Sequence, residues 1–102
     1  MSHRLAELRS LAYHRAIAGR LAGEIVARAL ATLDRADKTG TTDPRYVAAW
    51  RELLTGPLPT LAAALVADDE TMRGLRQTTP FAGVLDARER WAIWRAVAPV
   101  DR

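Results

Sequence analysis

The stretch SHRLAELRSLAYHRAIAGRLAGEIVARALATLDRAD, Ser2 to Asp37, decides the fold class. Leu5, Leu8 and Leu11/Ala12, then Leu21, Ile25, Ala29 and Leu33, recur three and four residues apart. That is the period of an α-helix and not of a strand. Ser2 can cap its start. Ile17, Val26 and Leu30 widen the apolar stripe, so the segment faces more than one neighbour. Gly19 and Gly23 lie inside it, each costing about 1 kcal/mol relative to Ala in a helix interior. They mark either a bend or a small-residue face where another backbone comes close. One unbroken helix of about 35 residues would be about 50 Å long at the helical rise. That is too long for a compact domain of 102 residues. The segment therefore either breaks near Gly19–Gly23 or projects its first half toward a partner.

Working outward, Thr39-Gly40-Thr41-Thr42 ends this segment, with Gly40 a good C-terminal stop. Asp43-Pro44 is an N-cap followed by Pro at the first helical position. A second helix runs from about Pro44 to Thr55, with Tyr46, Val47, Trp50, Leu53 and Leu54 on one face and Gly56 as its stop. Pro57 and Pro59 fit only its exit or the first turn of the next helix. That third helix, about Leu58–Ala67, is almost wholly apolar and reads as the buried centre. Asp68 caps a fourth short helix through Gln77, and Asp69 and Glu70 in its first turn suit the positive end of the dipole. Thr79-Pro80 breaks it. Phe81–Leu85 is an apolar connector, Asp86-x-x-Glu89 is a capping box, and the last helix runs to about Ala98, where Pro99 ends it. No segment alternates with period two. The expected fold is all-α: one helical domain over 1–102 of about five helices, a long, bent or straight helix over 1–38 and four short ones over 43–98.

The chain has no Cys, which removes disulfides, thiolate catalysis and Cys-based zinc sites. The N-terminus carries a charge every few residues, so it reads as neither a secretory signal nor a membrane span, and a cytoplasmic protein is expected. Lys38 is the only lysine among 15 basic residues, and about one residue in five is Ala. A GC-rich genome accounts for both biases; a need for bidentate or stacked Arg contacts accounts for the first alone. Charge is uneven: net +3 over 1–38, −3 over 39–70 and +3 over 71–102. An acidic middle between basic ends fits complementary patches for a protein partner better than one basic stripe for nucleic acid.

No constellation points to catalysis. His3 and His14 are too far apart to chelate a metal from one helical turn, and His14 reads as a partly exposed helical histidine. Asp68, Asp69 and Glu70 are explained by helix capping. There is no glycine-rich phosphate loop and no Gly-Ser followed by paired Asp, the hallmark of a nucleotidyltransferase. No enzyme activity, cofactor or metal is expected. A helix-turn-helix carrying Arg73 and Arg76 would begin with three acids, which repel phosphate where a recognition helix enters the groove. The tail LRQTTPFAGVLDARERWAIWR, Leu75 to Arg95, holds the only Phe and two of the three Trp. Either both Trp91 and Trp94 face the core, or one packs inward while the other forms a hot spot with Phe81 and the arginines. The candidate partner-binding residues are Asp68, Asp69, Glu70, Arg76, Phe81, Arg88, Arg90, Trp91, Trp94 and Arg95.

The same tail resembles that of a family of small helical bacterial proteins with the pattern L-R-Q-[ST]-[ST]-P-F-x-G-V-L-x-x-x-E-R-W-x-I. The matching residues are Leu75, Arg76, Gln77, Pro80, Phe81, Gly83, Val84, Leu85, Glu89, Arg90, Trp91 and Ile93. LAYHRAIAGRL and the Tyr46, Trp50, Leu54 segment fit loosely. That family is similar to antitoxins of MenAT-like toxin–antitoxin loci, partners of nucleotidyltransferase-like toxins. The resemblance implies an antitoxin that neutralises a cognate toxin by direct contact in a hetero-oligomer. In that reading the acidic residues Asp43, Glu52, Asp68, Asp69 and Glu70 fill a basic cleft and the aromatic tail anchors. The alternatives are a nucleic-acid-binding regulator of its own operon and a homo-oligomer packed through Gly19 and Gly23.

Overall fold

A computed structural model describes residues 2–97 and contains six α-helices: α1 (Ser2–Ala18), α2 (Gly23–Thr39), α3 (Pro44–Leu54), α4 (Leu58–Leu65), α5 (Glu70–Arg76) and α6 (Ala87–Ala96). The fold is all-α, with no strand among the described residues. The side chains of Ser2 and His3, and the expected helix end at Ala98–Pro99, lie outside the described part.

The N-terminal segment is two helices, which accounts for the sixth. The backbone leaves α1 at Gly19 and re-enters a helix at Gly23. A Cβ on Gly19 would meet only its own preceding carbonyls, at 3.7 and 3.8 Å, and one on Gly23 would meet nothing within 4 Å. Within the described chain the glycines therefore serve the break, and no other helix of it comes close to them.

Breaking there lets α1 lie against α4, α5 and α6, while α2 turns back on α3. Gly40 closes α2 in the left-handed conformation at φ 70°, its N–H returning to the carbonyl of Asp37. Asp43 accepts the Arg45 amide at 2.8 Å and Pro44 opens α3, so both boundary signals act as read. Arg51 ties the pair together through Asp34 at 2.8 Å and Asp37 at 3.7 Å. As half-exposed ion pairs these are worth about 1 kcal/mol or less. The core between the helices is Tyr13, Ile17, Ala29, Leu33, Val47, Trp50, Leu54, Leu61, Leu65, Met72, Leu75, Phe81 and Leu85.

Two local expectations are corrected. The apolar segment after Pro57 is not buried throughout: Leu61 and Leu65 are enclosed, but Leu58 is 40% exposed and Ala63 faces solvent. A two-turn helix presents only one side to α1 and α3. The cap of α5 is Asp69, whose carboxylate accepts the Met72 amide at 2.8 Å; Asp68 instead pairs with Arg73 at 3.3 Å.

The α5–α6 connector is irregular backbone, yet Pro80, Phe81 and Leu85 within it are buried. Side chains from α1 and α3 supply its hydrogen bonds. The Tyr13 hydroxyl donates to the Phe81 carbonyl at 2.8 Å. The Trp50 indole donates to the Leu75 carbonyl at 3.1 Å and to Thr78 Oγ1 at 3.2 Å. His14 is buried, not partly exposed. Its Nδ1 lies 2.7 Å from the Ser10 carbonyl, which can only accept, so Nδ1 carries the proton. Nε2 then accepts from the Thr79 hydroxyl at 2.8 Å, and Thr79 Oγ1 in turn accepts the Phe81 amide at 3.1 Å. The Phe81 ring meets Trp50 and His14 edge to face, with centroids at 5.9 and 6.3 Å. Gly83 turns the chain at φ 84°, where a side chain would be strained.

Arg76 is also buried, and its Nη1 donates to the carbonyls of Leu65 at 3.2 Å and Ala67 at 2.7 Å, at the C-terminal end of α4. Those carbonyls lack helical partners, and a cation suits that end of a helix. Burial pulls the guanidinium below its ordinary pKa, while Asp68 and Asp69 oppose the shift.

Two outcomes follow for stability. Burial, opposed by the Ser10 carbonyl and aided by the Arg76 charge, lowers the His14 pKa from 6.5 to about 4. Above pH 6.5 the ring is neutral in folded and unfolded chains alike; below it the unfolded chain takes up a proton that the folded one refuses. Stability contributed this way is therefore full above pH 6.5 and falls until about pH 4, by about 3 kcal/mol at about 1.4 kcal/mol per pH unit. Urea titrations at stepped pH should show this extra slope in the native chain and not in His14→Gln; equal slopes would refute it. Arg76→Met leaves two carbonyls without donors and should cost about 2–4 kcal/mol in the same assay.

Candidate functional site

Helix α6 is the least enclosed part of the fold. Its capping box forms as read: Asp86 accepts the Glu89 amide at 2.8 Å, and Glu89 accepts the Asp86 amide at 3.2 Å. Glu89 also binds Arg20, and that hydrogen bond holds its carboxyl below the usual range. Yet none of its residues is buried. Ile93 and Trp94 pack against the core only in part, and Trp91 is 61% exposed. A helix that leaves Trp91 at the surface and Trp94 half covered spends large apolar area on something other than its own core.

Between α6, α1 and the clamped connector lies an open groove of about 420 Å³. Leu5, Ala6, Ala82 and Trp94 give apolar walls; Tyr13, His14 and Thr79, members of the connector's hydrogen-bond network, form its polar floor. Two cations reach it, Arg9 from α1 and Arg90 from α6. The Arg9 guanidinium sits 5.7 Å from the Trp94 ring centroid and donates to the Trp94 carbonyl at 3.4 Å, near the C-terminal end of α6. Its Nε is buried with no hydrogen-bond partner among the described residues. A second depression of about 400 Å³, lined by Ala87, Arg90, Trp91 and Trp94, continues the first through Arg90 and Trp94. Residues 87, 90, 91 and 94 share one face at helical spacing.

The sequence-derived candidates divide accordingly. Arg90, Trp91 and Trp94 come together on this groove. Arg88 and Arg95 are exposed on the neighbouring stripe of α6 and do not line it. Phe81 and Arg76 do not line this groove: Phe81 is enclosed among Trp50 and His14, and Arg76, almost wholly buried, caps α4 and borders a separate small depression beside Glu7 and Arg73. Both were candidates because an isolated Phe and an Arg beside it look like an anchor in sequence. Asp68, Asp69 and Glu70 are exposed, but Asp69 is occupied as a cap and Asp68 with Arg73.

Sequence reasoning did not find Arg9, Tyr13, His14 and Thr79. The available signal was the pair Tyr13-His14 one turn before Ile17 on the apolar stripe, a place where polar rings need partners. Among the described residues no three His, Asp or Glu side chains gather as a metal site, and no helix is long and apolar enough to cross a membrane. No protein-family model matches this chain, and no curated protein or solved structure matches it.

Proposed function

We propose that this chain is an antitoxin-like binding protein that docks on a cognate toxin through the α1–α6 groove and blocks it by direct contact. The observation that carries the reading is α6 itself, a helix with no buried residue and with Trp91 and Trp94 on the groove side. Exposed Trp beside Arg is the composition of a binding hot spot. The resemblance of Leu75–Ile93 to antitoxin tails adds the partner's class, a nucleotidyltransferase-like toxin. The hydrogen-bonded His14–Thr79 pair on its floor is engaged in holding the connector, which fits a binding surface built on a fixed scaffold. The acidic residues Asp43, Glu52, Asp68, Asp69 and Glu70 have a smaller part here, since three of them are engaged within the fold.

The alternative, an operon regulator binding nucleic acid, draws on the same arginines and separates by its steep salt dependence.

The test is capture by the tagged full chain from nuclease-treated lysate of its native host. A stoichiometric partner with nucleotidyltransferase motifs, whose activity falls when one equivalent of the chain is added, supports the reading. Trp91→Ala should weaken that complex by about 10–30-fold while helicity and melting stay unchanged, because the side chain is exposed. Capture of nucleic acid alone from untreated lysate, lost at high salt, would overturn it in favour of the regulator.

A further inference from the structure

The two joined depressions carry a charge signature that narrows what they receive. Arg9 and Arg90 line them, and among the described residues none of the lining is acidic. Among the described residues five arginines pair with carboxylates of this chain: Arg4 with Glu7, Arg20 with Glu89, Arg45 with Asp43, Arg51 with Asp34 and Asp37, and Arg73 with Asp68. Arg9 and Arg90, which converge on the groove, have no such partner there. Glu89, the one acid within α6, is held by Arg20 and lines neither depression. Among the described residues Arg9 finds a carbonyl at 3.4 Å and an aromatic face, and its Nε has no acceptor. A buried donor without an acceptor is costly, and a ligand that brings an acceptor recovers that cost on binding. A guanidinium pre-oriented against an indole is suited to a carboxylate taken in its plane.

We propose that the α1–α6 groove receives an acidic, amphipathic segment of the partner protein: an apolar side chain seated between Leu5, Ala82 and Trp94, flanked by a carboxylate that pairs with Arg9 and Arg90. This rests on the protein-binding reading and adds the chemistry of the partner's segment. An open groove that shares Arg90 and Trp94 with a second depression fits a peptide segment better than an enclosed small molecule. The apolar walls fit a side chain better than a phosphodiester backbone, which needs cations in series along its track.

The experiment is a selection of displayed random 12-residue peptides on the immobilised full chain, followed by affinities of the enriched peptides. Enriched sequences should carry Asp or Glu within one helical turn of Leu, Phe or Trp. Arg9→Gln and Arg90→Gln should each weaken binding at least tenfold and flatten its salt dependence. Arg15→Gln, on the exposed side of α1 outside the groove, should change it less than twofold. In the wild-type chain the peptides should shift the NMR signals of the Trp94 indole and the Leu5 and Ala82 methyls. Enrichment of non-acidic peptides, an empty selection, or binding indifferent to both arginines overturns the proposal. Trp91-dependent capture of the toxin, measured separately, would survive each of those results, so the two readings fail independently. Arg9- and Arg90-dependent binding of single-stranded oligonucleotide with no peptide enrichment would replace the peptide with nucleic acid.

Discussion

Most of this architecture hangs on the hydrogen bonds that hold Thr78–Phe81. Irregular backbone inside a protein is costly unless its donors and acceptors are met. Here Tyr13 meets the Phe81 carbonyl, while His14 and Trp50 bond the hydroxyls of Thr79 and Thr78, which in turn bond the Phe81 amide and the Leu75 carbonyl; the Phe81 ring fills the space between. Helix α6 follows this connector and buries no residue of its own. Its placement over α1 therefore depends on the connector being fixed, along with the Arg9 and Arg20 contacts at its two ends. Without the clamp there is no defined groove.

The tail that looked like an interaction motif is largely a folding motif. Leu75, Arg76, Pro80, Phe81 and Leu85 are buried, Gly83 supplies a positive φ, and Glu89 completes a capping box. What that leaves at the surface from the same pattern is Gln77, Arg90 and Trp91. The division explains how one short stretch can carry both a demanding turn and a binding face. The turn consumes the residues whose side chains point inward, and α6 displays the remainder.

Fold class and several boundaries were legible because their chemistry is local. Gly40, Asp43-Pro44 and Asp86 with Glu89 act on amides a few residues away, so sequence alone placed them. The break after Ala18 was legible as one of two outcomes, since length required it but spacing did not. The clamp was not legible. Tyr13 and Phe81 are 68 residues apart, and no local pattern announces a side chain that bonds to distant backbone. Arg76 was misplaced for the same reason: a charged residue reads as surface until the carbonyls it caps are known. The groove was half legible, its α6 wall from Trp91 and Trp94, its α1 wall only after the helices were brought together.

The position of α1 also orders the assembly of the chain. Its neighbours are α4, α5 and α6, all encoded after residue 57, whereas α2 and α3 meet each other across a four-residue loop. Contacts between near neighbours form fast, and contacts that close long loops form late. During synthesis α2 and α3 can pair early, while the apolar face of α1 stays bare until α4, α5 and α6 follow, and a partner or chaperone present then would meet a surface that the finished fold conceals.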